Sequence, residues 1–345
     1  MLTLLADPHL PWLEHILPDS VSISRIENGD HLQSELRGKD ALLIRTVNKI
    51  NRSTFPVFPK KLSFIGAATA GTDHVDIEWV RENNITFAHS PGCNARSVAE
   101  YVITAIFAAF NGDLNEIRKM TVGIVGFGHT GGNVSKLLNQ LGIRWIACDP
   151  PLEIRNPEFK SAALDDVLNC DIVSLHVPLT NSGLHPTKYL INKKSILNRR
   201  IRLFIHASRG GVADETALLE ALDSGSIERC VIDVWEGEPE TNPDLLEKAF
   251  IVTPHIAGYS QQAKYNASYM VCRQLAHHFS LPFNKETPDE LKTINVHSIE
   301  ELNQVMKTHP MFELGKKLRE NPTSFAHLRN THPLRSEFRF GKIQL

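Results

Sequence analysis

The chain has 345 residues, 42% of them apolar and 22% charged, with a formal net charge of −2. That length calls for two or three domains, and the composition is that of a globular protein rather than a disordered or fibrous one. The near-zero charge excludes an electrostatic footprint for nucleic acid or an anionic membrane, while leaving room for a local anion pocket.

The N-terminal run M-L-T-L-L-A-D-P lacks a basic segment and a long apolar stretch, so no secretory signal is expected there. Short apolar runs at Leu2–Leu5, Ala41–Ile44, Leu62–Ile65 and Ile85–Ala88 read as strands. Pro11–Ile16 and Asp76–Asn83 read as helices between some of them. Strand–helix alternation predicts a parallel sheet with helices on its faces. S-P-G-C-N-A-R-S (90–97) punctuates the region, and Asn94 or Ser97 is expected to cap the helix that runs to Phe110. The Val98–Phe110 stretch is apolar but shorter than a membrane span and carries Glu100, so it reads as a buried helix.

A second strand–helix series begins at Thr121. T-V-G-I-V leads into G-F-G-H-T-G (126–131), and a helix follows to about Leu141. The first glycine permits a tight turn, the second lets the backbone approach a pyrophosphate, and the third allows close helix–strand packing. The helix N-terminus adds N–H groups and a positive dipole end for phosphates. R-W-I-A-C-D is the next strand, and it delivers Asp149 eighteen residues past Gly131. A carboxylate there suits the ribose hydroxyls of NAD and repels the 2′-phosphate of NADP. NAD is therefore the expected cofactor.

Further strands are predicted at Ile172–Val177, Leu203–His206, Cys230–Val234 and Ala249–Thr253, and a long helix from Gln261 to Phe279. Three polar residues fall just after strands of this series: Arg209 in A-S-R-G-G, Glu238 in D-V-W-E-G-E-P-E and His255 in T-P-H-I-A-G-Y. Each has an ordinary reading, as a surface arginine, a solvated acid and one histidine among sixteen. Their shared placement at the carboxyl ends of parallel strands, where ligands bind, favours a site. Guanidinium grips a carboxylate through two parallel hydrogen bonds. Imidazole is the natural proton carrier at neutral pH, and a glutamate beside it orients the ring and favours its charged form. From Asn284 the chain is more charged and has few strand-like runs, which suggests a small separate unit or an assembly element. The five cysteines, 93, 148, 170, 230 and 272, are scattered without a C-x-x-C pair, which argues for reduced thiols in a cytoplasmic protein and against a zinc site.

V-G-I-V-G-F-G-H-T-G, D-I-V-S-L-H-V-P-L-T, A-S-R-G-G-V-A-D-E-T-A-L, D-V-W-E-G-E-P and T-P-H-I-A-G together resemble the D-isomer-specific 2-hydroxyacid dehydrogenase family over residues 40–280. The spacing of 29 residues from Arg209 to Glu238 and 17 from Glu238 to His255 suits that family. The resemblance implies an α/β fold: a Rossmann-type doubly wound NAD-binding domain (96–258), a flavodoxin-like substrate-binding domain (1–95, completed by 259–284) and a small C-terminal dimerisation unit (285–345). It implies a catalytic trio of Arg209, Glu238 and His255. NAD contacts fall on Gly126, Phe127, Gly128, His129, Thr130, Gly131, Asp149, Val177, Ala207, Ser208, Arg209, Asp233 and Gly258. Finer marks resemble one member that acts on a phosphorylated 2-hydroxy acid: A-T-A-G-T-D-H-V-D (68–76), S-P-G-C-N-A (90–95), C-D-P-P (148–151) and Y after T-P-H-I-A-G. They imply substrate contacts at Thr46, Thr69 and Tyr259. Arg45 is the best cation for the phosphate, with Lys49 and Arg96 behind it. Thr46 stands where serine is expected but keeps the hydroxyl, and the glycine loop lacks the arginine of many relatives. The expected partners are a small phosphorylated 2-hydroxy acid and a second copy of the chain. Alternatives are another dehydrogenase of this family, acting on glycerate, phosphoglycerate or lactate, and a non-catalytic NAD(H)-sensing protein.

Overall fold

A computed structural model describes residues 1–27, 31–284 and 286–341. The chain divides into two units, Met1–Asn94 with Gln261–Lys292, and Ala95–Ser260 with Thr293–Leu345.

In the first unit the apolar runs form β1 (Leu2–Ala6), β2 (Val21–Arg25), β3 (Ala41–Ile44), β4 (Phe64–Ala67) and β5 (Thr86–His89). They pair in parallel in the order β2-β1-β3-β4-β5, the flavodoxin-like order. Side chains alternate between two cores, as the two-residue period of a strand requires. Leu4, Ala41, Leu43 and Phe64 face the helix Gln261–His278, whereas Leu5, Leu42, Ile44 and Ile65 face the other side. β2 was not anticipated. Its V-S-I-S-R run is half polar because it lies on the sheet edge, where only its first residue is buried.

The second unit holds β6 (Thr121–Val125), β7 (Arg144–Cys148), β8 (Ile172–Leu175), β9 (Leu203–His206), β10 (Cys230–Ile232) and β11 (Ile251–Val252). All are parallel, in the order β11-β10-β9-β8-β6-β7. The chain leaves β6 to one side for β7 and returns to the other side for β8. That reversal opens a crevice at the carboxyl ends of β6 and β8, where open α/β sheets bind ligands. The helix Ala95–Ala109 is buried along almost its whole length, as its composition predicted. Ser97 is not its cap. It sits inside the helix and its hydroxyl donates to the Ala257 carbonyl at 3.1 Å.

Residues 285–345, expected to form their own unit, divide between the two, with the junction at Lys292–Thr293. Lys285 and 342–345 lie outside the described residues. β12 (Ile294–Val296) and β13 (Phe338–Phe340) pair in parallel. The helices Ile299–Lys307, Met311–Glu320 and Phe325–Thr331 lie between them in sequence. Their apolar residues complete the cores on both faces of the second sheet: Val296, Leu302, Met306 and Phe338 on one, Leu314, Leu318, Phe325 and Leu328 on the other. A Cβ at Gly315 would strike the Val252 carbonyl, so only glycine lets this helix lie against β11. Arg319 donates to the Leu246 carbonyl at 3.0 Å and also to that of Ala249. The segment thereby covers an edge strand that would otherwise present unpaired backbone.

The same segment is anchored by a buried carboxylate. Glu100 is fully buried in the helix Ala95–Ala109, with Arg96 Nε at 2.8 Å, Arg335 Nη1 at 2.5 Å and the Phe338 N–H at 3.0 Å. Removing one member of such a cluster strands buried charge. Glu100→Ala is expected to lower unfolding stability by about 3–5 kcal/mol, measured by denaturant titration. A loss under about 1 kcal/mol would show that the cluster does not hold the segment.

Candidate active site

The glycine loop leaves β6 and opens the helix His129–Leu141. Gly126 has φ +90°, and a Cβ there would press within 2.8 Å of the His176 carbonyl and Val177. A Cβ at Gly131 would run into the Gly126 carbonyl, whereas the space beside Gly128 is open to 4 Å. The loop therefore bends tightly, packs its helix closely and leaves its middle bare, as a pyrophosphate cradle requires. His129 and Thr130 form the first turn of that helix. Phe127 stacks between Trp145 and Phe159, with centroids 5.2 and 5.0 Å away, which stiffens the loop against β7.

Asp149 ends β7. Its carboxylate accepts the Phe127 N–H at 2.7 Å through one oxygen and the Leu152 N–H at 2.9 Å through the other. It thus ties the glycine loop to the next strand and caps a short helix. Each oxygen keeps a further lone pair.

The remaining site residues follow β9, β10 and β11, which are neighbours in the sheet. Asp233, just after β10, is buried and takes hydrogen bonds from Thr253 Oγ1 at 2.7 Å, the Ile256 N–H at 2.7 Å and the Ala257 N–H at 3.1 Å. Its backbone carbonyl accepts the His255 N–H at 2.8 Å. These bonds hold His255 in the left-handed region, at φ +55°. A non-glycine residue resists that conformation by about 1–2 kcal/mol, so the loop needs such anchors. Burial pushes the Asp233 carboxyl up, against the opposing effects of His255, Thr253 and the two N–H donors.

His255 Nδ1 lies 2.8 and 2.9 Å from the two oxygens of Glu238. The side chains are 24% and 21% exposed, so the pair is shielded but open on one side. The Trp235 N–H donates to Glu238 at 3.1 Å, and buried Trp235 is itself fixed by its indole N–H to the Thr253 carbonyl. Burial raises the Glu238 carboxyl, but the bond and charge of His255, the Trp235 N–H and the nearby Arg329 outweigh it and hold it below its ordinary value. A carboxylate only accepts, so Nδ1 carries the ring proton and Nε2 is the basic nitrogen.

Arg209 lies on the loop after β9, with Nη1 donating to the Ser208 carbonyl at 2.8 Å. A Cβ on the next residue, Gly210, would collide with the Trp235 carbonyl. The Arg209 loop is therefore packed against the loop that carries Glu238. Ala207 and Ser208 are buried at its start. Nearby, His206 is buried and His176 half-buried, and the loss of solvent around each ring pushes both down to about 3, so both are neutral.

The first unit carries Arg45, Thr46 and Thr69. Arg45 Nε pairs with buried Asp7 at 2.7 Å, Thr46 is exposed, and Thr69 Oγ1 donates to the Gly71 carbonyl at 2.6 Å. Arg96 is engaged with Glu100 and the Phe338 carbonyl. In the second unit the Tyr259 hydroxyl accepts from Arg329 Nε at 3.2 Å, and its ring stacks on His332. Sequence reasoning missed Thr253, Trp235 and Arg329. Thr253 and Trp235 lie inside the recognised motifs but act through backbone and buried bonds; Arg329 lies in the C-terminal segment, which has no strand signature.

A bare glycine loop at the sheet's reversal point and a carboxylate-held imidazole after neighbouring strands are features that a NAD-dependent oxidoreductase needs. Residues 101–257 match the family model described as D-isomer specific 2-hydroxyacid dehydrogenase, NAD binding domain. Erythronate-4-phosphate dehydrogenase of Marinobacter nauticus is 35% identical, with 99% of this chain and 94% of that protein covered. The protein of the same name from Coxiella burnetii is 34% identical, over 100% and 95%. Among solved structures, D-lactate dehydrogenase from Aquifex aeolicus, complexed with NAD and lactic acid, shares the fold at a TM-score of 0.66 and 21% identity, covering 81% of this chain and 96% of its own. D-2-hydroxyisocaproate dehydrogenase does so at 0.68 and 21% identity, covering 81% and 97%. The chain belongs to the erythronate-4-phosphate dehydrogenase family, within the D-isomer-specific 2-hydroxyacid dehydrogenases.

The bond between Glu238 and His255 has a measurable consequence. Glu238→Gln removes the negative charge that favours the imidazolium, so the ring gives up its proton at lower pH. The acidic limb of kcat/KM is expected to move down by about one pH unit. An unmoved limb in a folded, NAD-binding variant would remove Glu238 from the proton-transfer unit.

Proposed function

We propose that the protein oxidises 4-phospho-D-erythronate at C2 to 3-hydroxy-2-oxo-4-phosphooxybutanoate, a step of pyridoxine 5′-phosphate biosynthesis. The observation that carries this reading is the His255–Glu238 pair. Its Nδ1 is committed to the carboxylate, which leaves Nε2 to take the C2 hydroxyl proton. When bound, NAD supplies the hydride acceptor. Glu238 stabilises the imidazolium formed as the proton arrives. Arg209 holds the C1 carboxylate by its fork and polarises the C2 oxygen. The cofactor's pyrophosphate rests on residues 126–131 and its ribose on Asp149, with Val177, Ala207, Ser208, Asp233 and Gly258 lining the rest. The carboxylate of Asp233 already has three backbone and hydroxyl donors, so its part is to shape the wall.

Thr46 and Thr69 are the proposed substrate contacts of the first unit, and Tyr259 is that of the second. Arg45 is the proposed phosphate cation, since Asp7 engages its Nε and the two terminal nitrogens bring four more N–H donors. Residues 285–345 are read as the element through which two copies of the chain associate. Phe312 and Ile294, large apolar side chains of that segment, are more than a third exposed. A cytoplasmic setting is supported by the five cysteines, all free and buried. Among the described residues no helix is long and apolar enough to cross a membrane.

Initial rates with NAD and equal concentrations of 4-phosphoerythronate, 3-phosphoglycerate, glycerate and lactate test the substrate. The expected result is a kcat/KM for 4-phosphoerythronate at least about 100-fold above the unphosphorylated acids, the size of one buried, charge-assisted phosphate contact. Preference for glycerate or lactate would overturn the assignment while leaving the dehydrogenase class intact.

A further inference from the structure

We propose that Arg329, supplied by the C-terminal segment, is a positioning residue that holds both Glu238 and Tyr259 and keeps His255 available as a base. Arg329 lies in the short helix Phe325–Thr331. Its Nη1 stands 3.8 Å from Glu238 Oε2, on the carboxylate that also binds His255, and its Nε reaches the Tyr259 hydroxyl at 3.2 Å. The guanidinium is 21% exposed, so the ion pair is only partly screened by water. The planar fork thus spans the proton-transfer pair and a proposed substrate residue at once. It also directs Tyr259. The phenol oxygen accepts from Arg329 Nε. The ring is further fixed by the stack on His332, at 5.5 Å and 17°, and His332 is itself bound to the Leu328 carbonyl.

The electrostatic logic follows from the charges around His255. Facing it are Glu238 and buried Asp233, both acidic, and neutral His206 beneath. The two carboxylates favour the imidazolium, and a protonated ring cannot accept a proton from substrate. Arg329 offsets part of the Glu238 charge and returns the imidazole toward its neutral, basic form. Its role is then to set the pH at which the base works, without touching the reacting atoms.

This inference rests on His255 acting as the base, and its test does not depend on which 2-hydroxy acid is the natural substrate. The acidic limb of kcat/KM is measured on the full-length protein with the best acid of the panel above. Arg329→Gln and Arg329→Met are each checked for native NAD binding. The limb is expected to move up by about 0.5–1 pH unit in both, opposite in sign to Glu238→Gln, and Arg329→Lys is expected to return it. Below the limb, kcat/KM would fall by about 3–10-fold in the neutral variants, the rate equivalent of that shift. A residue that merely packed the helix would lower activity at every pH and leave the limb in place. A stationary limb, a Lys variant as shifted as the Gln variant, or loss of folding in both neutral variants would each overturn the proposal. If the limb shifts as expected with an acid other than 4-phosphoerythronate, only the substrate assignment fails.

Discussion

The buried carboxylate of Asp233 is the constraint on which the site depends. It sits at the end of β10 and binds the loop after β11, so that Thr253, Ile256 and Ala257 are fixed to the neighbouring strand. Only with those bonds in place does His255 keep a backbone conformation that a side chain disfavours. The ring then meets Glu238, which is itself aimed by the N–H of a tryptophan immobilised against the same Thr253. The Tyr101 hydroxyl lies 2.7 Å from Thr253 Oγ1, which carries the network into the buried helix. The His255 imidazole is thus held at the end of a chain of hydrogen bonds, most of them buried, that fixes its position before any ligand arrives.

Much of this was legible in the sequence because the relevant signals are local. A glycine loop between a strand and a helix needs only neighbours in sequence, and so does a polar residue just past an apolar run. The positions after β9, β10 and β11 could be aligned because parallel strands with helical crossovers put all their carboxyl ends on one side. Less legible were features decided by pairing partners far away. β2 carries too little apolar surface to announce itself, being an edge strand. Ser97 looks like a helix cap, yet its hydroxyl is drawn to Ala257, 160 residues on. Arg45 looks like an anion site, and its pairing with Asp7 is visible only once β1 and β3 are side by side.

The C-terminal segment was the least legible part. Its helices are amphipathic but individually short, and nothing in their residues says which surface they cover. The structure assigns them to the edge and faces of the cofactor-binding sheet, through Gly315 at β11, the Glu100 cluster and apolar side chains in both cores. The same segment also brings Arg329 to 3.8 Å from Glu238.

If His255, held by Glu238, moves the proton while the glycine loop holds NAD independently, substitution of the imidazole separates the two functions. Single-turnover formation of NADH by His255→Ala, with NAD affinity measured on the same sample, tests it most directly. The expected result is a hydride-transfer rate lower by about 10²–10⁴, the usual contribution of a general base, with NAD affinity within a factor of about two. A rate close to that of the native protein would contradict the account.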